Sequence, residues 1–91
     1  MRFDFTQNAW EDFEYWMDND VDIANKIRSL LKDIKRNPFN GLGKPEPLKF
    51  ELRGYWSRRI NGEHRLVYTV DGKPGQQRCC IVQCRFHYDT K

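Results

Sequence analysis

Apolar residues alternate over the first few positions, recur at helical spacing up to about position 36, and return to every second position further on. Arg2 to Phe5 alternates polar and apolar residues and predicts a short strand. Thr6 then stands where a helix N-cap belongs, and Ala9, Trp10, Phe13, Trp16 and Met17 follow at helical spacing. Asp18-Asn19-Asp20 breaks that helix and supplies the cap of the next. Ile23, Ala24, Ile27, Leu30, Leu31 and Ile34 form a second apolar stripe, which ends at Asn37-Pro38. Two helices joined by so short a break predict an antiparallel hairpin laid on a sheet. The aromatic stripe of the first helix is expected in the core.

Asn37 to Pro47 contains Pro38, Gly41, Gly43, Pro45 and Pro47 and reads as a loop of restricted conformation. Glu46 sits in it between two prolines of fixed φ. Two strands follow, Tyr55 to Ile60 and His64 to Val70, joined around Asn61-Gly62. A two-residue turn would set Arg58 opposite Arg65 and send Leu66 and Tyr68 to the face opposite Trp56 and Ile60. An odd-length loop with a bulge puts Trp56, Ile60, Leu66, Tyr68 and Val70 on one face and Ser57, Arg59, Arg65 and Thr69 on the other. The second register is preferred. A last strand, Arg78 to Tyr88, is read with Cys80, Val82, Cys84 and Phe86 inward. Gln83, Arg85 and His87 then face outward, so one surface collects Arg59, Arg65, Arg85 and His87.

These elements predict an α+β fold in a single domain over residues 1–91, with two N-terminal helices on a mostly antiparallel sheet of about four to five strands. Charge sharpens the picture. Residues 1–43 carry six Lys/Arg against eight Asp/Glu, whereas residues 44–91 carry ten against five. The basic half suggests an anionic partner such as nucleic acid. Cys79, Cys80 and Cys84 crowd one strand in odd number, which argues for reduced, buried thiols rather than a disulfide framework. With only His64 and His87 as histidines, no metal site is expected and no cofactor is called for. There is no signal-peptide pattern and no run of membrane-spanning length, so a cytoplasmic location off the membrane is expected.

A glutamate, a cluster of arginines and a late histidine are the groups that metal-free RNA cleavage requires. The ribose 2′-hydroxyl needs a base, the pentavalent phosphate needs cations, and the leaving 5′-oxygen needs an acid. Glu46 fits the base, Arg65 with Arg59 and Lys49 the charge stabilisers, and His87 the acid. Tyr88 fits a stacking or phosphate-positioning role. The same residue types, dispersed over forty positions, also suit a solvated, salt-bridged surface.

The segments GKPEPLK, YWSRRINGEHRLVY and CRFHY, in that order, resemble the YoeB-type toxins of the RelE/ParE superfamily. WEDFEYW and IRSLLKDIKRNPFNGLGKPEPL extend the resemblance over nearly the whole chain. It implies a RelE-like fold and a toxin that cleaves messenger RNA in the ribosomal A site, with a YefM-like antitoxin as its cognate partner. Self-association into a homodimer is left open. By motif, the family's catalytic glutamate falls on Glu46, its phosphate-stabilising arginine on Arg65, supporting cations on Lys49 and Arg59, and its terminal pair on His87 and Tyr88. Superfamily members that poison DNA gyrase lack this set. The remaining alternative is a non-catalytic RNA- or ribosome-binding inhibitor of translation. Two features depart from the family pattern: the Asp89-Thr90-Lys91 extension and a long Asp71–Gln77 connection.

Overall fold

Strand β1 (Arg2–Phe5) leads directly into helix α1 (Gln7–Asn19), and the computed structural model, which describes residues 1–87, shows why the chain turns there. The Thr6 hydroxyl accepts the Ala9 N–H at 3.1 Å, as the sequence predicts for an N-cap. Asp20 closes α1 through its backbone N–H and caps helix α2 (Val21–Arg36) through its carboxylate, so one residue ends one helix and begins the next. Ala24, Ile27, Leu30 and Ile34 of α2 are buried with Ala9 and Trp16 of α1. The rest of the α1 stripe lies nearer the edge. Trp10 and Met17 are 42% and 45% exposed, because α2 covers only part of the α1 surface.

Five strands form one sheet in the order β1-β5-β4-β3-β2. They are β2 (Glu46–Pro47), β3 (Trp56–Arg59), β4 (Arg65–Asp71) and β5 (Arg78–Gln83), with β1 at the far edge. Only the β1–β5 pair is parallel. Trp56 pairs with Tyr68, Ser57 with Val67, Arg58 with Leu66 and Arg59 with Arg65. Ile60 N–H donates to His64 O at 3.0 Å, so the loop is the odd-length one, Asn61-Gly62-Glu63. The Asn61 side chain shapes it, accepting from the Glu63 and His64 N–H groups at 2.9 and 2.7 Å. Leu66, Tyr68 and Ile60 accordingly face the helices, packed with Trp56 and Val70.

The strand β5 departs from the sequence-based reading. It ends at Gln83 rather than Tyr88, and a bulge opposite Val67 and Tyr68 inserts Val82. That extra residue shifts the alternation by one. Cys79 and Ile81 point into the core before it and Cys84 after it, while Cys80 and Val82 are only half-buried and Phe86 is exposed. All three cysteines are free thiols.

Arg58, on the core face, is fully buried. Its five N–H donors meet five acceptors: Tyr68 Oη at 3.1 Å, Asp33 Oδ2 at 2.6 Å, Leu42 O at 3.1 Å, Asn40 O at 2.8 Å and Asn37 O. Tyr68 Oη in turn donates to Pro38 O at 2.8 Å. One side chain thus gathers the whole 37–42 loop onto β3. Gly43 continues it with φ +79, its carbonyl accepting the Arg59 N–H at 2.6 Å. A Cβ at this position would lie 2.9 Å from Arg59 O and 3.1 Å from Arg58 Cβ, so only glycine lets the loop approach β3 this closely.

Candidate active site

Glu46 reaches its place by this route. The loop delivers it as the first residue of the edge strand β2, directly opposite Ser57. The stiff loop of the sequence-based reading therefore ends in a two-residue strand, and Pro47 is tolerated because its missing N–H falls at the sheet edge. Residues directly opposite in an antiparallel pair share a face, and so do residues two apart on one strand. Glu46, Ser57, Val67, Arg59 and Arg65 therefore share the face turned away from the helices. Ser57 and Val67 are buried and form its floor. Arg59 is diagonal to Glu46, a Cα separation of about 7–8 Å in such a ladder.

Arg65 is more enclosed than a solvent-facing arginine, at 8% exposure. Its Nη1 donates to Asn61 O at 2.8 Å and to its neighbour His64 O at 3.1 Å, which holds the guanidinium at the hairpin end of the face. Arg59, directly across the ladder, is exposed. Two like charges in such register repel. Lys49, exposed and extended, precedes a short 3₁₀ turn at Phe50–Leu52 that is tied down by backbone bonds from Leu52 to Lys49 and from Leu48 to Tyr55.

His87 comes to this surface by the path of the residues before it. Beyond β5 the chain bends, with the Gln83 side chain donating to the carbonyls of Arg85 and Phe86 at 2.9 and 3.2 Å. Phe86 O accepts the Arg65 N–H at 3.0 Å, and Phe86 N–H donates to His64 Nδ1 at 2.7 Å. His87, exposed, follows immediately. Arg85 does not join the cluster as the alternation predicted. The bend turns its guanidinium to the helical side, 3.5 Å from the centre of the Tyr15 ring and 5.9 Å from that of Trp16. Tyr88 lies outside the described residues. The sheet thus brings Glu46, Arg59 and Arg65 onto one face and sets the His87 segment beside Arg65.

Two residues that organise this site were not singled out from the sequence. Arg58 looked like one more member of a basic strand, and His64 like a strand start. The preferred register implied an inward Arg58 without assigning it a task, and the structure shows it bonded to the 37–42 loop and His64 buried against the segment that carries His87. An open apolar groove of about 420 Å³ between the helices, bordered by Trp10, Phe13, Met17 and Val21, lies on the helical side of the molecule. Among the described residues no cluster of His, Cys, Asp and Glu could hold a metal ion, and no helix is long and apolar enough to cross a membrane.

Residues 5–88 match the family described as the YoeB-like toxin of bacterial type II toxin-antitoxin systems. A Streptomyces coelicolor protein named toxin YoeB is 51% identical over 88 residues, covering 97% of this chain and all of that one. A solved YoeB/ParE toxin from Agrobacterium tumefaciens superposes with a TM-score of 0.92 at 51% identity, over 97% of this chain and all of that one. The YoeB of Staphylococcus aureus, 48% identical with 97% and 98% coverage, has been solved as a dimer and in a heterotetrameric complex with YefM, at TM-scores of 0.86 and 0.85.

Proposed function

This chain belongs to the YoeB-like toxin family of bacterial type II toxin-antitoxin systems, and from that premise we propose that it is a cytoplasmic, ribosome-dependent endoribonuclease that stops translation by cutting messenger RNA in the A site. Glu46 takes the proton of the ribose 2′-hydroxyl, whose oxygen attacks the adjacent phosphorus. Arg65, with Arg59 and Lys49, carries the negative charge gathered on the phosphate oxygens. His87 protonates the departing 5′-oxygen, and Tyr88 stacks on a base or positions a phosphate. The products are a 2′,3′-cyclic phosphate and a free 5′-hydroxyl. No metal is called for in this scheme.

The observation that carries the reading is Arg59 directly opposite Arg65, with Glu46 one diagonal step away on the same face. Paired arginines destabilise a bare ladder, and a phosphate between them converts that repulsion into attraction for the charge of the transition state. This scheme predicts only weak cleavage of naked RNA, because the ribosome supplies the alignment of substrate. The antitoxin partner is a YefM-like protein that covers this cationic face with an acidic segment. A homodimer is the second assembly consistent with the relatives.

The test maps messenger RNA 5′ ends in a translation reaction, with wild type beside His87→Ala. Cuts in register with the A site, at least about 10²-fold slower in the variant, are expected. Equal arrest of translation by both proteins with no cuts would instead mean a non-catalytic binding inhibitor.

A further inference from the structure

His64 is 8% exposed, within the core end of the hairpin, and its imidazole stands edge-on to Trp16 with ring centres 4.7 Å apart. A buried histidine with an apolar neighbour is commonly just core. This one has a defined polar task. Its Nδ1 accepts the Phe86 N–H at 2.7 Å, while the next residue, Arg65, donates its own N–H to Phe86 O at 3.0 Å. Both polar backbone groups of Phe86 are thus gripped by two consecutive residues, His64 just before β4 and Arg65 at its start, although β5 has already ended at Gln83. Phe86 adopts φ +68, a left-handed conformation that a phenylalanine does not take without restraint. The bond to His64 is the restraint on its N-terminal side.

We infer that His64 is the positioning residue for His87: by accepting through Nδ1 it fixes the left-handed bend at Phe86 and so sets where the next side chain stands relative to Arg65. The inference rests on the nuclease reading for its catalytic meaning, but the clamp is a property of the fold. An accepting Nδ1 carries no proton, so the neutral ring is protonated at Nε2. Glu63 Oε1 is 3.9 Å from Nε2, beyond hydrogen-bond length. Asp12 accepts the Cys84 N–H at 3.1 Å, so it braces the same segment one turn earlier.

Two variants separate positioning from mere packing. Asn offers an acceptor oxygen near the Nδ1 position and does not titrate, whereas Leu fills the space and accepts nothing. With His64→Asn, the Phe86 amide should keep its protection from hydrogen exchange, and A-site cleavage should stay within about 10-fold of wild type. With His64→Leu, Phe86 protection should be lost and kcat should drop about 10²-fold with little change in KM for the programmed ribosome. Wild-type kcat in the Leu variant, or unchanged Phe86 protection, would overturn the inference. If the Leu variant does not fold, the ¹⁵N shifts of wild-type His64 decide. An unprotonated Nδ1 at pH 8 is expected, and a protonated one overturns the clamp. Wild type that makes no cuts, with Phe86 protection still dependent on His64, would overturn the nuclease reading and leave the clamp standing.

Discussion

Arg58 shows at the scale of one residue how a charge can act as a core side chain. A guanidinium with no exposure is tolerated because all five of its donors are satisfied and because Asp33, whose pKa is lowered first by the Leu42 N–H and then by Arg58, supplies the opposite charge. Arg58→Met has a suitable volume but donates nothing. It would remove the counter-charge of Asp33, the donor to the buried Tyr68 hydroxyl and the donors that hold the carbonyls of Asn37, Asn40 and Leu42, at about 1–3 kcal/mol for each partner that water does not reach. A loss of at least about 3 kcal/mol is expected, with a melting temperature lower by more than about 10 °C. Urea unfolding measures it, and a loss below about 1 kcal/mol would refute the hub. The motif WSRRI was legible in the sequence, and the preferred register already put Arg59 on the outer face. What was not legible is that Arg58, on the inner face, is satisfied by loop carbonyls brought to it from residues 37–42, because that contact is far apart in sequence. The position of Glu46 was legible through its prolines, whereas Arg85 was misplaced because alternation was extended through a bend.

Elements were legible where one face is apolar throughout. The second helix follows its 3.6-residue period from Ile23 to Ile34, and β3 and β4 follow theirs, because burial enforces the register. In β5 the alternation was read with the wrong parity before the bulge, where Cys79 and Ile81 rather than Cys80 and Val82 face inward, and only Cys84 beyond it was read correctly. A bulge costs one residue of alternation and leaves no mark in a run as largely apolar as CCIVQC. The turn after Lys49 is also hidden from pattern reading. Phe50 stands there at φ +57 and 74% exposed, so it holds a left-handed conformation without burying its ring. That conformation costs an L-residue about 1–2 kcal/mol, and little packing offsets it. Phe50→Gly should therefore raise stability by about 0.5–1 kcal/mol net of the extra freedom of the unfolded chain. The expected signature is a higher denaturant midpoint with an unchanged slope. A lower midpoint would mean that the ring packs more than its exposure implies.

For the whole molecule, the charge asymmetry along the chain becomes an asymmetry between layers. The net-acidic first half supplies both helices, and the net-basic second half supplies β2 to β5. The sheet side, where Arg59 and Arg65 stand, is therefore the more cationic layer, and the Cys79 and Cys84 thiols lie in the seam between the layers. Burial pushes the Cys79 and Cys84 thiols up from an ordinary 9.0 to about 12, and burial also raises Tyr68. In the unfolded chain the same thiols ionise near 9.0, so between pH 9 and 12 the unfolded state loses protons that the folded state keeps. The sign is then fixed: this contribution is fully present below pH 9 and falls as the pH rises toward 12, by about 1.4 kcal/mol per pH unit for each thiol. Two thiols remove about 5 kcal/mol by pH 11, which matches the whole stability of many small domains. Melting temperatures under reducing conditions should hold level between pH 7 and 8.5 and then fall steeply, with unfolding between about pH 10 and 11. The Cys79→Ala/Cys84→Ala variant starts lower, because each substitution leaves a small cavity, but its decline with pH should be shallower. Cys80→Ala, at a half-buried position on the other face of β5, should leave the slope as it is. Equal slopes in wild type and the double variant would show that alkali unfolds the protein through other groups, and that the thiols in the seam ionise without cost to the fold.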